Sequence, residues 1–181
     1  MTSIARFLSA IGLACAASLC LASAAVAEPS DPGTWPLAEG DFTSQGDPGW
    51  IFFKPHGFGG QGCGIGPDGT IGCDIVPSRW QDGTPVQAGV MGPPGFYSCG
   101  DSFCPLPPPG ADQIIVGPLQ RADYAASDTP TFTRDVGVLY EGYRLVNGNA
   151  SCRLGTGSPL VLSCNSGDHG FTVHAFGVSF Q

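Results

Sequence analysis

The stretch CGIGPDGTIGC (residues 63–73) reads almost the same from either end around Asp68. A hairpin accounts for the symmetry. Pro67 presets φ for the first position of a three-residue loop, Asp68 suits the second, and Gly69 takes the left-handed conformation of the bulge. The register that follows sets Gly66 opposite Thr70, Ile65 opposite Ile71, Gly64 opposite Gly72 and Cys63 opposite Cys73. The isoleucine and cysteine pairs then fall at the closely approaching, non-hydrogen-bonded positions of an antiparallel ladder. That spacing suits a cross-strand disulfide. One face carries Cys63, Ile65, Ile71 and Cys73 and is expected inside. The other shows Gly64, Gly66 and Gly72, almost bare backbone. Glycines weaken a strand unless something approaches it closely, so this face calls for an aromatic ring from another strand or, alternatively, a ligand or glycan ring.

A second hairpin repeats the arrangement in ASCRLGTGSPLVLSC (residues 150–164), with Cys152 opposite Cys164 and Leu154 opposite Leu162. Its other face carries Ser151, Arg153 and Ser163. Cys99 and Cys104 enclose only Gly100 to Phe103, a small closed loop. Three sequential bridges are therefore expected, each contributing on the order of 2–3 kcal/mol through chain entropy.

The compartment follows from the N-terminus. Arg6 supplies a short positive region, residues 7–24 an apolar stretch, and Ala25-Val26-Ala27 a small-x-small cleavage pattern. Residues 1–27 read as a signal peptide and Glu28 as the first residue after cleavage. Removing 27 of 181 residues leaves 154, one domain by length, and six of the eight cysteines. An even cysteine count in an exported chain points to disulfides before metal. Without Arg6, six basic residues stand against fifteen acidic ones. That balance argues against nucleic acid, whose affinity comes from neutralising phosphates, and against an anionic membrane surface. No membrane span is expected after cleavage, and a monomer is expected.

Residues 28–49 read as a flexible acidic lead-in, and residues 50–181 as a single β-rich disulfide domain with a loop-rich arm over about 77–135. GPPG (92–95) and PLPPPG (105–110) exclude regular structure. WIFFK (50–54), IIV (114–116), VLYEGYRLVNG (138–148), ASCRL (150–154), LVLSC (160–164) and FTVHAFGVSF (171–180) read as strands, and residues 123–134 have room for one helical turn. No long window shows a helical apolar period. The fold class is all-β, a small disulfide-stabilised sandwich or barrel built from hairpins.

No complete catalytic set emerges. Gly100-Asp101-Ser102 resembles the nucleophile block of one esterase class but lacks the distant Asp-x-x-His that supplies the base. His56, His169 and His174 are the only histidines, and the last two, five apart on one strand, face opposite sides. With cysteines oxidised, no metal and no cofactor are expected. Paired carboxylates for glycoside cleavage need acid-lined clefts, and after cleavage only Glu28, Glu39 and Glu141 remain among glutamates. Trp35, Trp50, Trp80, Phe96, Tyr97 and Phe103 lie in or beside glycine- and proline-rich loops and suit either a binding surface or the filling of a small core, with His169 as a further binding candidate.

Taken together, WIFFKPHG (50–57), GCGIGPDGTIGCDI (62–75), YEGYRLVNGNASC (140–152) and LSCNSGDHGF (162–171) resemble the small exported cysteine-rich domains of mycobacteria and related actinobacteria, proteins of unassigned function. The matching residues are Phe52, Pro55, Gly57, Cys63, Cys73, Asp74, Ile75, Tyr140, Gly148, Cys152, Cys164, His169, Gly170 and Phe171, spread over roughly residues 50–180. Asp168 stands where that pattern has glycine, and the Cys99/Cys104 pair is an insertion. The resemblance implies an exported disulfide domain and nothing catalytic. The functional expectation is a secreted, non-catalytic binding module of the envelope or extracellular space. The alternative is a hydrolase of envelope or extracellular material using His169 with a nearby carboxylate or serine.

Overall fold

The computed structural model describes residues 34–76, 96–98, 103–105, 107–108, 110–127, 129, 131–174 and 177–181. Among them the chain is all strand and turn, with no α-helix. The strands are β1 (Ile51–Pro55), β2 (Cys63–Ile65), β3 (Ile71–Cys73), β4 (Phe96–Ser98), β5 (Phe103–Pro105), β6 (Gln113–Gly117), β7 (Gln120–Ala125), β8 (Val138–Leu139), β9 (Arg144–Asn147), β10 (Ala150–Leu154), β11 (Val161–Ser166), β12 (His169–His174) and β13 (Gly177–Phe180). Two sheets, ordered β7-β6-β3-β2-β1-β8 and β13-β12-β11-β10-β9, pack as a sandwich, and β4-β5 forms a separate ribbon. The sandwich, not the barrel, is the outcome. No helix among the described residues is long and apolar enough to cross a membrane.

The mirrored stretch folds as its symmetry requires. Cys63 pairs with Cys73, Gly64 with Gly72 and Ile65 with Ile71. The Gly66 N–H donates to the Thr70 carbonyl, and Gly69 sits at φ +86° in the loop. Both Asp68 oxygens are used, one accepting from the Thr70 N–H and the other from its hydroxyl, which holds the Asp68 carboxyl below its ordinary value. In the second hairpin Cys152 faces Cys164 and Leu154 faces Leu162. Disulfides join Cys63 to Cys73 and Cys152 to Cys164, with Cα separations of 4.0 and 4.1 Å. All four sulfurs enter one core. There they meet Phe53, Ile65, Ile71, Ile114 and Val116 from the first sheet, and Leu154, Leu162, Phe171, Val173 and Val178 from the second. The expected Cys99–Cys104 bridge lies outside the described residues.

Three expectations change. Residues 34–49 are not a loose lead-in but a brace along one side of the sandwich. The Ala38 N–H donates to the Arg144 carbonyl, the Phe52 N–H to the Phe42 carbonyl and the Gly137 N–H to the Asp41 carbonyl. Trp35 and Phe42 are buried. The reason is that edge backbone next to β9 and β1 needs partners, and this segment supplies them. Within the arm assigned to loop, β6 and β7 form a hairpin that extends the first sheet, and β4 and β5 form the small ribbon. The helical turn within residues 123–134 is absent among the described residues. Instead the backbone N–H groups of Thr131, Phe132 and Thr133 all donate to the Asp74 carboxylate, at 2.7–3.2 Å. The Thr133 hydroxyl and the Gln113 amide complete that cluster. Pro130 within that window removes a helix donor, and the three N–H groups instead tie the stretch to Asp74.

The Asp74 cluster pins a strap across the outer face of the first sheet, where Phe132 lies on the glycine ribbon. A Cβ on Gly72 would run into the Phe132 ring, and one on Gly64 would lie 2.9 Å from Phe52. Of the two readings of the bare face, the aromatic cover is the one found. Trp50 stacks on Phe52 with centroids 5.6 Å apart, and the Arg134 guanidinium lies 4.7 Å above the Phe52 ring. Asp47 fixes Arg134 through a 3.0 Å bond, which lowers the Asp47 carboxyl below its ordinary value.

Candidate functional site

The residues singled out from sequence divide sharply. Trp50 is half-buried and belongs to the cover over the glycine ribbon, between Phe52 and Phe132, so most of its ring serves packing. Trp35 is buried beneath Arg153, whose guanidinium lies 5.2 Å from its ring. Phe96 and Tyr97 lie on β4 and Phe103 on β5, paired Phe96 to Pro105, Tyr97 to Cys104 and Ser98 to Phe103, while their side chains and Trp80 lie outside the described residues. His169 opens β12 opposite Ser166 and is half-buried, and its ring makes no hydrogen bond among the described residues. The Ser166 hydroxyl is buried and donates to the Gly69 carbonyl at 2.6 Å, so its proton is held away from His169. That bond ties the second sheet to the first hairpin's loop.

The other histidines sit elsewhere. His174 ends β12, where burial pushes its imidazole below the ordinary value. His56 follows β1 and its Nδ1 lies 2.6 Å from the Glu141 carboxylate, which is held below its ordinary value chiefly by this bond. The His56 ring also lies 5.3 Å from the ring of Tyr140. No group of three or more potential metal ligands forms among the described residues.

The His56–Glu141 pair borders a feature that the sequence did not flag. A groove of about 430 Å³ runs between residues 36–39 on one side and Val138, Tyr140 and Tyr143 on the other. Tyr140-Glu141-Gly142-Tyr143 is the turn that carries the chain from β8 in the first sheet to β9 in the second. The Tyr143 N–H donates back to the Tyr140 carbonyl, and Gly142 takes φ +81° at the third position, which favours glycine in a type II turn. The first and last residues of such a turn lie close together, so both tyrosines reach the same groove. Leu37 is 57 % exposed, Tyr140 54 % and Tyr143 42 %. They are three of the four large hydrophobic residues exposed among those described. The fourth, Leu119, stands alone at the β6–β7 turn. Glu39, exposed, lies in the groove wall.

The sequence signal was present in Tyr-Glu-Gly-Tyr: two aromatics at the ends of a glycine turn. Alternation within residues 138–148 instead suggests a strand there. Chemically, the groove offers two phenol rings for stacking, an apolar leucine and an ionised carboxylate border. No known protein family, curated protein or solved structure matches this chain.

Proposed function

We propose that the chain is an exported, non-catalytic binding module acting at the cell envelope or outside the cell, with the tyrosine groove as its contact surface. One observation carries this reading: Leu37, Tyr140 and Tyr143 stay exposed side by side, whereas among the described residues only Leu119, alone at a turn, is another exposed large hydrophobic residue. Tyrosines with an apolar body and a polar tip are typical anchors for a partner. Export is supported by the leader pattern in residues 1–27, and the two disulfides are compatible with an oxidising compartment.

The test is a binding screen of the leader-free protein on arrays of peptides and glycans, beside the variant with Tyr140→Ala and Tyr143→Ala. The expected result is at least one ligand class whose binding falls about tenfold or more in the variant, roughly the loss of one anchor, with circular dichroism unchanged. A parallel screen on esters, peptides and cell-wall glycans should show no turnover. Turnover that disappears on His169→Ala overturns the reading in favour of a hydrolase.

A further inference from the structure

We infer that the tyrosine groove receives an extended, basic polypeptide segment that pairs through its backbone with Leu37. The inference rests on the binding-module reading and adds the chemistry of the ligand. Leu37 stands in a parallel bridge with Arg144. The bonds of that bridge come from its neighbours: the Ala38 N–H donates to the Arg144 carbonyl, and the Arg144 N–H donates to the Pro36 carbonyl. In an extended chain, successive residues point their backbone groups to opposite sides. The N–H and C=O of Leu37 therefore point away from β9, and neither has a partner among the described residues. An extended segment with a free donor and a free acceptor on its outer side is a template for one more strand.

Side chains and charge select what that strand is. Every second side chain of an added strand lands on the groove face, where Leu37, Tyr140 and Tyr143 offer apolar and ring surface. Glu39 in the wall is exposed, and Glu141 at the border stays ionised beside His56. Of the two cations next to groove residues, Arg144 donates to the Trp35 carbonyl and Lys54, opposite Val138, pairs with Asp135. The chain as a whole carries a net charge of −8, which draws a basic partner and disfavours an acidic one. A lysine- or arginine-bearing peptide satisfies the open backbone groups, the rings and the carboxylates together. A sugar would use the rings and leave the backbone pair idle.

The experiment is fluorescence anisotropy on the leader-free protein with three labelled probes: a short peptide alternating lysine and valine, its glutamate–valine counterpart, and chitohexaose. The lysine peptide should bind, and raising the salt should weaken it severalfold or more. Leu37→Pro should weaken it about tenfold, because proline removes only the outward N–H and tolerates an extended site. Glu39→Gln, at an exposed side chain, should weaken it severalfold without touching the fold. Equal binding of the glutamate peptide, or indifference to both Leu37→Pro and Glu39→Gln, overturns the inference. So does dimerisation of the protein that is abolished by Leu37→Pro, since the occupant is then a second copy. Binding of the oligosaccharide alone overturns the peptide and leaves the module standing. No ligand on any probe or array removes both.

Discussion

The hairpins β2–β3 and β10–β11 carry the same inner arrangement, a bridged cysteine pair next to an aliphatic pair, and opposite outer faces. In β10–β11 the outward positions are Ser151, Arg153, Ser163 and Asn165, all half-exposed. This is the common condition of an antiparallel sheet, with one face on the core and one toward water. In β2–β3 the outward positions are Gly64 and Gly72, buried beneath Phe52 and Phe132. One hairpin carries its own polar side chains outside, where Arg153 also makes a long-range contact over Trp35. The other depends on a phenylalanine some sixty positions later, held in place by Asp74. The difference shows that a bare strand face is an instruction for long-range cover, whereas a polar one can stand half-exposed to water.

That comparison can be broken at several points. If the inner faces are equivalent, replacing Cys63 and Cys73 together by alanine should cost about 4 kcal/mol, and the same exchange at Cys152 and Cys164 should cost the same, since both close short loops and empty the same core. Guanidinium midpoints check this, and a gap of more than about 1 kcal/mol would separate the two hairpins on the inside as well. The outer faces should differ strongly. Gly72→Ala drives a methyl into the Phe132 ring and should cost about 3 kcal/mol by overpacking, while Ser163→Ala at the matching place should stay within about 0.5 kcal/mol. Equal costs would mean that the cover yields freely.

The strap itself should respond next. Asp74→Asn replaces one acceptor oxygen with a donor facing N–H groups and should cost about 2 kcal/mol, read in the same unfolding experiment. Faster hydrogen exchange should appear at Gly64 and Gly72 but not at Ser163. The smallest effect belongs to the exposed ion pair over the cover. Arg134 lowers the Asp47 carboxyl below its ordinary 3.8. A depressed acid stabilises the fold above its unfolded pKa and loses that contribution as pH falls through the lower folded value. Asp47→Asn should therefore be slightly less stable than the parent near neutrality, and the two should converge below that ordinary value. Divergence on acidification would mean that another carboxylate controls the acid limb.

How much was legible in the sequence follows from where each contact arises. The register of residues 63–73 was readable because turn chemistry and pairing lie within one short stretch. The need to cover Gly64 and Gly72 was readable for the same reason. The identity of the cover was not, because Phe132 sits in TPTFTRD with no periodicity to betray its partner. The burial of Trp35 and Phe42 is hidden likewise: Trp35 stands out only as a loop aromatic and Phe42 not at all, because single aromatics in a turn-rich acidic segment look loose until an edge claims them. The groove was half legible. Tyr140 and Tyr143 were inside a recognised strand-like segment, but alternation hides a turn, and only φ at Gly142 turns both rings to one side. Loop context in sequence says nothing of neighbours in space, and at Trp50 the rings of Phe52 and Phe132 decide the outcome.

The distance along the chain between the glycine ribbon and Phe132 has a temporal side. Synthesis delivers the N-terminal part first, so β2 and β3 can pair well before their lid is made. During that interval the hairpin shows naked peptide groups on a flat surface, an inviting seat for any stray strand. Speed of synthesis through residue 134, as well as final stability, then bears on how much of the protein clumps before it folds.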